Sequence, residues 1–288
     1  MKTQKVWFIT GASRGFGLEI AKAALAAGDR VIATVRSQPA QLAATLHNHP
    51  NLYVVSMDVA QEDQVQAAVQ QGIARFHRID ILVNNAGFGM ITAIEEATDA
   101  EVRKQYDTNV FGLLNVTRAV LPHLREQKSG HIINISSLFG YDAVPGWGLY
   151  GSTKFAVEGL SKGLAVELAP LGIQVTAVAP GLFTTDFLSA ESYVAAKTII
   201  ADYQATVGPM RSGADALHGH QPGDPKKFAQ VIIQLANAER PLLHLPVGKD
   251  AIAMYRSNAA KMAQDIEAWL PVATSTDHNH RIAASTLT

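Results

Sequence analysis

Two periods of hydrophobic residues alternate along this chain, and the switches between them mark out its elements. Short runs that are apolar at nearly every position, at residues 6–10, 30–36, 52–56, 79–83, 131–135 and 173–179, predict buried strands. Between them apolar residues recur every three or four positions. That spacing predicts helices from the first glycines through Ile20, Ala24 and Leu25, then over 39–46, 61–76, 99–127 and 150–168. A helix over 225–236, a strand over 242–247 and a closing helix over 250–270 follow. Strands apolar on both faces and alternating with helices predict one α/β domain over residues 1–271. Its core is a doubly wound parallel sheet flanked by helices on both faces. Residues 182–224 break the rhythm, with a weakly amphipathic piece at 190–203 and a stretch rich in glycine and histidine at 208–223. A connection of that length predicts a substrate lid or binding loop, or else a disordered stretch. Residues 272–288 lack periodicity and read as a flexible tail.

In such a sheet the ligand crevice lies beyond the carboxyl ends of the strands. Gly11, Asp58, Asn85, Ser137 and Pro180 each stand just after a predicted strand, so the pattern gathers them on one rim. The glycine turn Gly11-Ala12-Ser13-Arg14-Gly15-Phe16-Gly17 joins the first strand to the first helix. Its order departs from G-x-G-x-x-G, yet it meets the same need: backbone close to a pyrophosphate, with helix N–H groups aimed at it. The second strand ends Ala33-Thr34-Val35-Arg36 without the carboxylate that would hold a ribose diol. Arg36, with Arg14 in the turn, suits a 2′-phosphate instead, which predicts NADP(H) in preference to NAD(H).

Tyr150 and Lys154 stand one helical turn apart on one face. A free phenol, with a pKa near ~10, holds its proton too tightly for exchange at neutral pH. An adjacent ammonium stabilises the phenolate, so the pair predicts a tyrosine with a lowered pKa working as an acid or base. Tyr and Lys meet at this spacing on many helices by chance. Convergence with the glycine turn on one rim is what singles this pair out.

Composition narrows the classes. With 288 residues, 48% hydrophobic and 17% charged, the chain can bury a full core. A net charge of -1 predicts neither nucleic-acid nor membrane attraction. Cysteine is absent, which excludes disulfides, thiol nucleophiles and cysteine-ligated metals and fits a reducing compartment. No apolar run reaches the ~18 residues of a membrane span, and the N-terminus lacks a signal pattern, so a cytoplasmic location is expected. His218, His220 and His244 lack an acidic partner at ligand spacing and read as solvated rather than metal-binding.

The segments Thr10-Gly-Ala-Ser-Arg-Gly-Phe-Gly17 and Asn84-Asn-Ala-Gly87, the strand ending in Ser137, and Tyr150-x-x-x-Lys154 together resemble the short-chain dehydrogenase/reductase family. The resemblance covers about residues 3–181 motif by motif and implies a Rossmann-type fold that transfers hydride between a nicotinamide and an alcohol or carbonyl. It implies Tyr150 as proton donor, Lys154 as its partner and a ribose ligand, and Ser137, not Ser136, as the carbonyl-polarising hydroxyl. Asn109 is similar to the asparagine of the family's proton relay. Asp58 with Val59 matches the adenine side, Asn85, Ala86 and Gly87 the ribose side. Pro180, Gly181 and Thr185 match the carboxamide clasp, with Thr184 the competing choice. Self-association as a homodimer or homotetramer through the helices after Asp99 and Tyr150 is likewise implied. No family motif matches 187–224. Phe88, Leu138, Phe139, Trp147, Phe183 and Phe187 flank the predicted rim, which suggests a lipophilic or aromatic carbonyl or alcohol as substrate. Two readings compete: a catalytically silent NADP-sensing regulator, and a methyltransferase, which has no use for the Tyr–Lys pair.

Overall fold

A computed structural model describes residues 4–188, 193–195 and 198–278. Seven strands form one parallel sheet: β1 (Val6–Ile9), β2 (Arg30–Val35), β3 (Leu52–Ser56), β4 (Ile81–Asn84), β6 (Gly130–Ile135), β7 (Ile173–Pro180) and β9 (His244–Val247). Their order across the sheet is β3-β2-β1-β4-β6-β7-β9, with every neighbour pair parallel. The order reverses direction between β1 and β4, and it is there that such sheets open a crevice. A separate parallel pair joins β5 (Gly89–Ile91) to β8 (Tyr193–Ala195).

Alternation along each strand divides the core in two. Trp7 and Ile9 of β1, with Val31 and Ala33 of β2, point to one face, where α1 (Gly15–Ala26) and α8 (Pro225–Ala236) cover them. Val6, Phe8 and Ile32 point to the other, under α3 (Glu62–Phe76), α5 (Gly112–Gln127) and the end of α6 (Gly148–Leu168). Burial on both faces explains why the strands read as nearly unbroken apolar runs. A third cluster lies outside the sheet. It gathers Ile91, Leu138, Phe139, Trp147, Tyr150, Leu188, Val207 and Ala214, so part of the stretch expected as a lid packs there.

The observed sheet is the expected class, and three details differ. The expected helix over 99–127 is α4 (Asp99–Tyr106) and α5 joined by a five-residue π turn, Asp107–Phe111, which hydropathy spacing does not register. Part of the stretch read as a glycine and histidine loop is a helix, α7 (Gly208–Leu217), because Met210, Ala214 and Leu217 present one apolar face to the third cluster. The closing helix α9 (Lys249–Thr274) runs through Pro271 instead of ending at 270. The short helix α2 (Pro39–Thr45) lies where expected. Of the piece at 190–203, residues 190–192, 196 and 197 lie outside the described residues, as do 279–288 of the tail. Among the described residues no helix is long and apolar enough to cross a membrane.

Candidate active site

Thr10, the last residue before the glycine turn, ties the two strands at the crevice together. Its hydroxyl accepts from the Asn85 and Ala86 backbone N–H groups, both at 2.9 Å. The Asn85 side chain in return donates to the Thr10 carbonyl at 2.9 Å and the Gly11 carbonyl at 3.0 Å. Asn85 thus shapes the turn rather than presenting its amide outward. Gly11 and Gly15 take positive φ, +65° and +54°. Any Cβ at Gly17 would overlap the Gly11 carbonyl oxygen and lie 2.6 Å from the Asn85 amide nitrogen. Only glycine closes this turn, and α1 then starts with its N-terminal N–H groups facing the crevice.

The other residues expected around the turn take distinct places. Phe16 turns inward, stacked on Phe228 at 4.0 Å and edge-on to Phe183 at 5.2 Å, so its ring is part of the core. Ser13 and Arg36 are exposed, and Arg14 is half-buried. Asp58 caps its own loop, accepting from Ala60 N–H at 3.0 Å, while Val59 is buried and its carbonyl accepts from Asn115 at 3.1 Å. Thr185 faces Gly15, at 3.6 Å from where a Cβ would stand, whereas Thr184 turns away to the Gln221 carbonyl at 2.7 Å. Beyond Pro180, Gly181 N–H bonds the Val247 carbonyl and the Asp250 carboxylate accepts from Leu182 N–H at 2.6 Å. Asp250 is therefore a clamp on this turn that motif reading missed; its place at the start of the closing helix was the available signal.

Across the crevice, Ser137, Tyr150, Lys154 and Asn109 come together, all buried. The segment Leu138–Gly140 folds back on α6 because Gly151 leaves room: a Cβ there would stand 3.0 Å from the Phe139 carbonyl oxygen. That close approach brings the Ser137 hydroxyl to the Tyr150 phenol. Ser137 Oγ also accepts from Phe139 N–H at 3.2 Å. Ser136, one residue earlier, points to the opposite side, and its buried hydroxyl has no partner among the described residues. Lys154 Nζ donates to the Ile135 carbonyl at 2.8 Å and lies 5.7 Å from the centre of the Tyr150 ring. Asn109, within the π turn, donates to the Phe88 carbonyl at 3.0 Å and to Thr153 Oγ1 at 3.1 Å, and accepts from Phe88 N–H. Gln105 reaches the same Phe88 carbonyl at 2.5 Å. Gly87 sits beside both Asn109 and Lys154.

The electrostatics correct the expectation of a lowered phenol. Burial raises the Tyr150 pKa above the usual tyrosine range, and only the Ser137 hydrogen bond pulls the other way. Lys154 does not offset this because its ammonium points at a carbonyl and over the ring, not at the phenol oxygen. Burial also brings the ammonium itself down to about 8, with Glu158 opposing that fall. Glu158 stands one further turn along α6, buried, its Oε2 2.9 Å from Nδ1 of His244. The expectation that His244 is solvated therefore fails: it lies in β9, and its carboxylate partner comes from residue 158, a separation that spacing rules do not span. Burial and the adjacent Glu158 carboxylate push the nearby Tyr141 phenol upward as well. Among the described residues no group of three or more His, Cys, Asp and Glu could hold a metal ion.

Aromatic rings wall the outer side. Trp147 stacks on Phe139 at 5.0 Å and faces Phe187 at 6.4 Å, and Phe187 lies 5.4 Å from the Tyr150 ring. Residues 200–211, within the stretch expected to be a lid, are held by acids of the loop after β5. Glu95 accepts from the Tyr203 hydroxyl at 2.6 Å, and the buried Glu96 accepts from Ala93 and Ile200 N–H groups and pairs with Arg211. Burial works against the Glu96 charge, but these hydrogen bonds and Arg211 prevail and hold the carboxyl below its ordinary range.

Known proteins are similar to this chain in sequence and fold. The family model described as short chain dehydrogenase matches residues 5–193. The chain is 40% identical over 267 residues to the oxidoreductase BOA17 of Botryotinia fuckeliana, covering 92% of this chain and 96% of that one. It is 38% identical to a short-chain dehydrogenase from Streptomyces avermitilis solved by crystallography, with a TM-score of 0.88 over 96% of this chain and all of that one. It is 30% identical to ElxO, solved with NADP bound, with a TM-score of 0.72 over 87% of this chain and all of that one. Matched over most of its length, and carrying a glycine turn and a Tyr–Lys pair on one rim of a seven-stranded parallel sheet, the chain belongs to the short-chain dehydrogenase family of oxidoreductases.

Proposed function

We propose that this oxidoreductase interconverts a carbonyl and an alcohol on a lipophilic or aromatic small molecule, using NADP(H) and Tyr150 as the proton donor and acceptor. The observation that carries the reading is the meeting of Ser137, Tyr150 and Lys154 beside the glycine turn, under the wall formed by Phe139, Trp147 and Phe187.

The residues present fit a dinucleotide. The cradle at Gly11, Gly15 and Gly17 admits no added side chain, and α1 offers unpaired N–H groups to a pyrophosphate. Arg36 would hold a 2′-phosphate from the exposed end of β2, where no acid competes. Thr185, Gly181 and Pro180 would face the carboxamide end, and Lys154 the adjoining ribose. When bound, the cofactor supplies or accepts the hydride.

The chain's own groups supply the proton. Ser137 Oγ accepts a backbone hydrogen bond, and its O–H, directed at the Tyr150 phenol, would turn to donate to a substrate oxygen set beside that phenol. A phenol raised by burial is protonated throughout the neutral range, which equips Tyr150 to give a proton to a developing alkoxide and favours reduction. Lys154 spends one N–H on Ile135 and keeps two for the ribose and the proton path. Asn109, clasped between Phe88 and Thr153, fixes the floor of that path.

The test compares kcat/KM for NADPH and NADH across a panel of aromatic ketones, long-chain ketones, polyols and hydroxy acids. NADPH preference of ~10-fold or more, and turnover confined to the apolar substrates, is the expected result. Clear NADH preference removes the Arg36 argument, and preference for polyols or acids removes the aromatic wall as the selector. Tight NADPH binding without turnover on any carbonyl would favour the sensing role instead.

A further inference from the structure

Tyr150 and Ser137 are each more than nine-tenths buried, at 5% and 8% exposure. A substrate oxygen that takes a hydrogen bond from both must touch both, so a covering side chain has to leave first. Three rings surround that of Tyr150: Phe139, Trp147 and Phe187. Phe139 sits in the turn that Gly151 admits against α6, and Trp147 is the residue from which α6 starts, so both are fixed to the body of the protein. Phe187 alone comes from the stretch expected as a lid. It stands on the single turn Asp186–Leu188 and is half-buried, which makes it the ring that can yield.

The seat under Phe187 has a definite shape. The ring lies nearly parallel to Trp147, at 17° and 6.4 Å, and against the Tyr150 ring at 5.4 Å. The floor is Gly89 of β5, where a Cβ would stand 2.8 Å from Phe187 Cζ and 3.2 Å from Trp147 Cζ3. Any side chain at 89 would lift the ring, so the missing Cβ is what makes the seat. Resting on the carbonyl–alcohol reading above, we propose that this seat is an aryl subsite, for which Phe187 competes with the ring of an aryl ketone, aryl aldehyde or benzylic alcohol. The space that a phenyl side chain fills has the thickness and outline of a phenyl group, and its Trp147 face favours another π-system over a saturated ring. The seat also adjoins the phenol. A carbonyl joined directly to a ring held there comes up against Tyr150 and Ser137, while one carried on a flexible chain is not positioned by it. Phe187 thereby acts as a built-in competitor, and apparent affinity for substrate is reduced by the fraction of time it is seated.

The sign of one kinetic change separates a competitor from a wall. Phe187→Ala is expected to lower KM for acetophenone ~10-fold, as when a side chain seated ~90% of the time is removed, whereas loss of a wall would raise it. In that background Gly89→Ala should raise the acetophenone KM again by ~10-fold, because the new Cβ narrows a seat that Phe187 no longer contests. The unsubstituted enzyme should show a KM for acetophenone ~10-fold below that for cyclohexyl methyl ketone, whose saturated ring is thicker and offers no π-face. NADPH affinity, read by cofactor fluorescence, should be the same in all three proteins. A raised acetophenone KM in Phe187→Ala, an unchanged one on adding Gly89→Ala, or equal KM values for the two ketones overturns the subsite and leaves the carbonyl–alcohol reading standing. Turnover of neither ketone by any of the three, with NADPH bound, overturns that reading and the subsite with it.

Discussion

The two sides of the crevice are built by opposite means. On the cofactor side, Thr10, Asn85 and the glycine turn are joined by short side chains and backbone groups, with hydrogen bonds of 2.9 to 3.0 Å and no room for another atom at Gly17. On the lid side, long charged or phenolic side chains reach across more than a hundred residues of sequence, Glu96 to Arg211 and Glu95 to Tyr203. The first construction fixes the shape that the proposed dinucleotide would meet. The second leaves a cover that can be changed without disturbing the sheet. Specificity for substrate should therefore reside in the lid, and competence for cofactor in the turn.

The largest effect is expected at the residue that stands between the two. Tyr150 meets Ser137 on the rim and Phe187 under the lid. Tyr150→Phe is expected to lower kcat by ~10²–10⁴-fold while leaving NADPH affinity intact, as read by cofactor fluorescence. Near-normal turnover would take Tyr150 out of proton transfer. Next comes Gly17→Ala, which should cost ~1–3 kcal/mol in chemical denaturation and abolish measurable cofactor binding. Retained affinity would mean that the turn relaxes more easily than its geometry implies.

Glu96→Gln acts on the lid alone. It should raise KM for substrate by ~10-fold with kcat and cofactor affinity little changed, the loss expected for a charge-assisted contact. Because the folded Glu96 carboxyl lies below its ordinary range, the latch it forms is intact above that range and lost as pH falls through the depressed value. An equal fall in cofactor affinity would show the two sides to be coupled. The smallest effect concerns Glu158. The Lys154 ammonium, brought to about 8 by burial, loses its proton as pH rises through that value, and kcat/KM should fall there. Glu158 opposes the lowering, so Glu158→Gln should move the fall to lower pH; a shift to higher pH, or none, removes that carboxylate from the tuning of Lys154.

The same contrast explains what could be read in advance. Strands buried on both faces leave an unmistakable apolar signature, and each rim residue follows its strand directly, so the sheet and the positions of Gly11, Asn85, Ser137 and Pro180 were legible. Tyr150 and Lys154 share a helix face at fixed spacing, so their adjacency was legible too, whereas their protonation depends on burial and on where Nζ points. Glu158 with His244, and Glu96 with Arg211, join segments 86 and 115 residues apart and leave no local trace. The helix α7 was hidden by its glycines, since propensity argued against what packing by Met210 and Leu217 enforces.

The π turn between α4 and α5 makes chain length, not composition, the sensitive variable at one spot. Gln105 and Asn109, four residues apart on one face, both reach the Phe88 carbonyl, Asn109 from within the wider turn. Removing a single residue from 107–111 would re-phase everything upstream by ~100° against α5. The hydropathy profile would hardly change, yet the Phe88 carbonyl would lose hydrogen-bond donors that now hold it. A one-residue deletion here would thus act as an off switch that no substitution scan could imitate.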